Sequence, residues 1–203
     1  MINEALTSGQ GERLLRLSHL YRLIIGFVLV ALTSSNLDQE LLNPQSLTLF
    51  RVGSWAYMIS SLVFAFTLRK PQGLLPIFSL ALSDVVLLSW LFYTAGGIPS
   101  GIGNLLIVSV AIANILLRGR IGLMIAAIAA IGVIFLTFYL SLSKPEISSQ
   151  YLPAGLLGIL SFAVALFVQN LTTRLQKTES IAARHAADVV NLEALNTRIL
   201  QRM

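Results

Sequence analysis

The chain has no cysteine and only two histidines in its 203 residues. Without cysteine there is no disulfide framework, no thiolate metal site and no cysteine nucleophile, and the sequence carries no sign of redox compartment. Charge is also scarce. Asp, Glu, Lys and Arg make up 11% of the residues against 56% hydrophobic, about half the charged share of a soluble domain. Long polar loops between the apolar blocks are missing as well, so no intervening segment is large enough to fold a soluble ligand-binding domain with its own core. The net charge of +5 comes from short basic clusters beside apolar runs, which fits membrane topology and not nucleic acid binding. Met1 to Gly11 is polar and lacks the form of a cleavable signal peptide, so the first apolar run is expected to stay in the protein.

What remains is a series of six apolar runs, roughly Leu17 to Ser34, Gly53 to Leu68, Leu74 to Tyr93, Asn104 to Leu117, Ile121 to Leu142 and Leu152 to Leu171. Crossing about 30 Å of hydrocarbon takes roughly 20 helical residues. The expectation is an all-α membrane protein with six transmembrane helices. Arg13, Arg16, Arg22, Arg69, Lys70, Arg118, Arg120 and the basic residues from Arg174 onward fall on alternate sides of the runs, leaving Arg51 and Lys144 with Asp38, Glu40 and Glu146 on the other. Positive charge is retained on the cytoplasmic side, so both termini are expected there. This gives a cytoplasmic segment over 1–16, a six-helix membrane domain over 17–171 and a cytoplasmic signalling helix over 172–203.

Leu74 to Arg120 reads as a hairpin inside the membrane. Its first limb carries Asp84, an acid about 15 Å from the start of its run and so near mid-bilayer. A lone charge there should be protonated or paired. Antiparallel pairing of the two limbs puts Asn104 and Ser109 within reach, so Asp84 is expected to form a polar clamp with them or to recognise a partner helix. The uncharged turn contains Gly96, Gly97, Pro99, Gly101 and Gly103, which permit unusual dihedrals and close helix approach. The fourth run is short, and the turn either dips into the membrane to compensate or is a plain tight turn at the interface.

Gly122, Ala126 and Ala130 place small residues on one face of the fifth run, a surface for close helix packing, within the chain or between copies. After Pro153 in its first turn the sixth run meets no proline, and no glycine after Gly158, so one helix can leave the membrane and project beyond it. Along it Leu171, Leu175, Thr178, Ala182, His185, Val189, Leu192, Asn196 and Ile199 alternate by four and three residues, a weak coiled-coil seam.

Catalysis finds little support. Ser100 in the glycine turn has no base near it, because His19 and His185 fall at the opposite ends of the spans. There is no phosphate-binding glycine loop and no cluster of metal ligands. Transport usually needs several intramembrane ionisable groups, whereas here one acid has no basic partner in the spans. A small transporter or channel, or a purely structural membrane anchor and dimeriser, is therefore the secondary reading.

Three stretches, RLLRLSHLYRLIIGFVLVALTSSNLDQELL from Arg13, the long middle segment LPIFSLALSDVVLLSWLFYTAGGIPSGIGNLLIVSVAIANILLRGRIGLMIAAIAAIG and the closing NLEALNTRILQRM, resemble the membrane sensor region of the type IV pilus sensor histidine kinases of the PilS type. The resemblance implies six spans followed by a PAS domain, a histidine-acceptor domain and an ATP-binding kinase domain. It further implies a homodimer in the bacterial inner membrane that detects the pilin transmembrane helix and controls pilin transcription through a response regulator. The chain reaches Met203 where that PAS domain should begin, so it is expected to be a sensor fragment, not itself an enzyme. No cofactor is expected here, since ATP belongs to the kinase region.

Overall fold

The structure, a computed structural model, describes residues 9–35, 46–68, 73–117, 119–143 and 150–200. The loop charges Asp38, Glu40, Arg69, Lys70, Arg118, Lys144 and Glu146 lie outside the described residues. So do the side chains of Ala182, His185, Val189, Leu192, Asn196 and Ile199, although their backbone is helical.

Among the described residues the regular structure is entirely helical: α1 (Gly9–Ser34), α2 (Leu47–Thr67), α3 (Leu74–Thr94), a 3₁₀ turn (Ile98–Ser100), α4 (Ile102–Leu116), α5 (Arg120–Ser143) and α6 (Tyr151–Leu200). Five of these are long and apolar enough to cross a membrane, and α4, with 15 residues, is shorter. Five helices begin earlier than the apolar runs suggested, α1 and α2 by the widest margin. Nothing between Gly9 and Leu17 breaks a helix, and Arg51 is tolerated in the first turns of α2, where a long basic side chain can reach the interface.

Each helix buries one stripe. In α2 it is Phe50, Gly53, Ser54, Tyr57 and Ser61, the three-to-four spacing of a single helix face. The opposite faces carry exposed Phe27 and Val28 on α1, Trp55 and Phe66 on α2, and Ile131 and Phe135 on α5, an apolar belt suited to lipid. Small residues set the closest approaches. A methyl group on Gly26 would sit 3.0 Å from Met58 Sδ, and one on Gly53 would sit 2.9 Å from the Trp90 ring.

The short helix is the central one. α4 packs against α1, α3, α5 and α6, and its buried residues include Leu106, Ser109, Val110, Ala113 and Asn114. At about 22 Å it is shorter than the hydrocarbon layer. Leu140, near the end of α5, and Gln150, just before α6, lie around Gly97, so the turn sits at the end of the bundle where α5 stops and α6 starts.

Gly96, Gly97 and Gly101 all have positive φ, which stops α3 and lets the chain reverse within a few residues. The turn satisfies its own backbone: Gly97 N–H donates to Phe92 O at 2.9 Å, Gly101 N–H to Ile98 O at 3.1 Å and Asn104 N–H to Gly101 O at 3.0 Å. Ser100 Oγ donates to Gly97 O at 2.6 Å and accepts from Ile102 N–H at 3.3 Å. This serine is therefore part of the turn's scaffolding. Internal satisfaction of this kind is what allows irregular backbone at membrane depth.

The small-residue face of α5 is occupied from within the chain. Gly122 faces the end of α4, Ala126 is fully buried, and Ala130 lies against Gly158 of α6. A methyl group at Gly122 would run into the carbonyl oxygen of Leu117 and lie 2.5 Å from Asn114 Oδ1. Because the first obstacle is backbone, Gly122→Ala should lower stability by about 2 kcal/mol, measured as thermal unfolding in detergent. Gly155→Ala, which meets nothing within 4 Å, should be near neutral in the same assay.

Candidate functional site: a buried ion pair joining four helices

An arginine near the middle of a membrane helix has to find an acceptor or leave the membrane. On α1 the buried residues Ser18, His19, Arg22, Ile25, Leu29 and Thr33 fall on one helical face, so Arg22 points inward with the polar side of its helix. It has no exposed surface and is the largest fully buried side chain among the described residues. Its Nε lies 3.1 Å from Asp84 Oδ1. Nη1 donates to Leu80 O and Nη2 to Ser83 Oγ, both at 3.3 Å. The guanidinium carbon stands 5.2 Å from the Phe64 ring centroid and 6.0 Å from that of Tyr57, so aromatic faces from α2 supply the rest of its surroundings.

This overturns one expectation. Asp84 does have a basic partner within the spans, and Arg22 does not belong with the interfacial basic residues. The signal was present in the sequence: Arg22 lies inside the first apolar run and shares a helix face with Ser18, His19 and Thr33.

The other carboxylate oxygen, Asp84 Oδ2, accepts from Ser109 Oγ on α4 at 2.9 Å. Asp84 and Ser109 are thus brought together, whereas Asn104 stands exposed at the start of α4, more than a turn from Ser109. The hydroxyl of Tyr57 sits beside the same carboxylate but makes no hydrogen bond of good geometry, and neither does Asp84 Oδ1 or Arg22 Nε. The Nε to Oδ1 contact is an ion pair by distance without an aligned N–H. Asp84 is 6% exposed, and its carboxylate is taken up inside the bundle. Among the described residues no group of three or more His, Asp and Glu could hold a metal ion.

Two neighbouring features frame the pair. Between α3 and α5 a lipid-facing groove of about 560 Å³ is lined by Val86, Ser89, Trp90, Gly132 and Phe135 among others, and the Tyr93 and Tyr139 rings meet at a centroid distance of 5.8 Å at one end. At the other side of α4, a methyl group on Gly103 would come within 2.7 Å of Leu157 on α6, so the end of the glycine turn rests directly on the last helix. Tyr151 Oη and Ser141 Oγ join the start of α6 to α5. Along α6 the seam residues Leu171 and Leu175 are exposed, as is Thr178.

The fold and this site define a multi-pass helical membrane domain with an ion pair buried among its helices. The chain belongs to the family of PilS-like transmembrane domains, which it matches over residues 5–182. It is similar to the sensor protein kinase PilS of Pseudomonas aeruginosa, 56% identical over 198 residues. That match covers 98% of this chain and 37% of the relative, so the chain spans little more than a third of that protein's length. No solved structure matches it.

Removing one partner of a buried pair leaves the other charge unpaired, at a cost of about 3–5 kcal/mol, whereas replacing both with apolar residues is often close to neutral. Asp84→Leu and Arg22→Met should each strongly lower the unfolding temperature in detergent, and the double variant should recover most of the loss. Asn104→Ala should have little effect in the same measurement.

Proposed function

We propose that this chain is the transmembrane sensory input domain of a two-component sensor histidine kinase, one that detects pilin in the bacterial inner membrane and adjusts pilin transcription through a response regulator. The observation that carries the reading is the join between family membership and α6. A PilS-like membrane domain ends in a helix of 50 residues, Tyr151–Leu200, about 75 Å long, which is far more than a bilayer requires. We take the excess to be the signalling helix, with both termini cytoplasmic, the exposed Leu171 and Leu175 starting the seam of a homodimer, and kinase activity and ATP belonging to the remainder of the protein.

The input reaches the domain within the bilayer. Since Asp84 is enclosed, a pilin helix meets the lipid-facing surface or the glycine turn, and the ion pair responds to the packing change behind it. The ligand can only shift the domain if it favours one of two arrangements.

These 203 residues contain no cysteine, which gives a probe once any cysteine elsewhere in the full-length protein is replaced. In the full-length protein, single cysteines at Ser89 and Gly132 in the groove and at the exposed Pro99 of the turn are expected to cross-link to pilin carrying a membrane-depth cysteine, and depletion of pilin should change promoter output. Output indifferent to pilin, or full regulation retained when residues 17–171 are replaced by an unrelated six-span domain, would overturn the reading in favour of a membrane anchor. Inserting one residue near Thr178 turns the helix beyond it by about 100° and should uncouple input from output, seen as promoter activity that no longer follows pilin level.

A further inference from the structure

Along the first half of α1, Arg16, His19, Leu20 and Leu23 recur at the spacing of a single helix face. Polarity therefore falls from guanidinium to imidazole to leucine over seven residues, about 10 Å along the axis. α2 supplies the facing wall with Ala65 and Leu68, and the two helices border a groove of about 480 Å³. Its walls are tied together. His19 Nε2 lies 3.3 Å from Leu68 O, and since a carbonyl only accepts, the ring nitrogen donates. Leu68 is the residue that caps the end of α2, so this bond holds α1 and α2 at a fixed spacing beside the groove.

We propose that the groove binds one anionic diacyl phospholipid, with the phosphate on Arg16 and the upper part of an acyl chain between Leu20, Leu23 and Ala65. The match is one of order as well as composition. A phospholipid presents phosphate, ester and hydrocarbon in the same succession in which the groove presents guanidinium, imidazole and leucine. Arg16 is exposed, and its five N–H donors can grip phosphate oxygens beside the contact it makes within the chain. Charge complementarity selects the anionic lipid. On this side of the two helices the sequence, residues 1–16 and 69–73, carries Arg13, Arg16, Arg69 and Lys70 against Glu4 and Glu12, and basic side chains at a membrane surface attract anionic headgroups.

The neighbouring groove marks what is particular to this one. Between α2 and α3, on the other side of Leu68, about 590 Å³ is lined by Phe64, Thr67, Pro76, Phe78 and Ser79 among others, with no charged residue in the lining. That groove offers hydrocarbon a place without distinguishing headgroups, whereas the α1–α2 groove adds a cation at one end. The site depends neither on pilin nor on the sensory reading.

The test uses full-length protein in phosphatidylcholine nanodiscs, with cysteines outside these residues replaced and a fluorophore on a cysteine at Phe66, which is 65% exposed and adjoins Ala65. Phosphatidylglycerol or phosphatidylcholine carrying a nitroxide on one acyl chain is added in steps, and quenching gives their relative affinity beside the groove. Phosphatidylglycerol should be preferred about fivefold. Arg16→Gln should bring the ratio close to one, and Arg16→Lys, which keeps the charge, should retain most of it. Ala65→Phe fills the groove without altering charge and should also remove the preference, whereas Ser79→Phe in the uncharged groove should leave it in place. Equal quenching by the two lipids in the wild type, or an undiminished preference in Arg16→Gln, would overturn the site. So would displacement of the nitroxide lipid by millimolar inorganic phosphate, since Arg16 would then be a receptor for the free anion and not for a lipid.

Discussion

An isolated charge in hydrocarbon is too costly to persist, and the arrangement of this bundle follows from that constraint. Arg22 and Asp84 lie at similar depths, and their ion pair joins α1 to α3. The carboxylate then reaches α4 through Ser109, and the guanidinium reaches α2 through two aromatic rings. A buried pair is weak evidence of stability compared with an apolar core of equal volume. Its value here is positional, because it specifies which faces of four helices meet at mid-depth.

The pair stands beside a second unusual element, the short central helix. α4 touches most of the bundle and is too short to span alone. The glycine turn before it hydrogen-bonds to its own backbone, and Leu140, Gln150 and Phe92 lie around Gly97. Ion pair and turn therefore sit on the same helix, one near its middle and one at its start, and the start rests on α6. Contact thus runs from Arg22 through Asp84, Ser109 and α4 to the last helix.

The lipid-facing surface is left with a groove between α3 and α5 and with the outer faces of α6. Small residues elsewhere are already used. Gly122, Ala126 and Ala130 pack inside the chain, as do Gly158 and Ser161 on α6. On α6 Leu171 and Leu175 are uncovered, an apolar edge that no other described helix covers.

Much of the architecture was legible in the sequence. Apolar run lengths specify the helices, because hydrocarbon thickness sets their minimum length, and consecutive glycines specify the turn, because positive φ is strained for other residues. Asp84 is conspicuous as an acid inside an apolar run, and its hydrogen bond to Ser109 follows from hairpin register. The identity of its main partner was decided only by tertiary structure. Counting basic residues by position assigns Arg22 to the membrane surface, since it lies near the end of a run. Whether it turns inward depends on the rotation of α1 against α2 and α3, which no local pattern contains. The same holds for Asn104, near in register but facing outward, and for the α5 face, whose small residues could have served a second copy and instead receive α4 and α6. Local sequence determines which residues can lie at a given depth, and the crossing of the helices determines which of them meet.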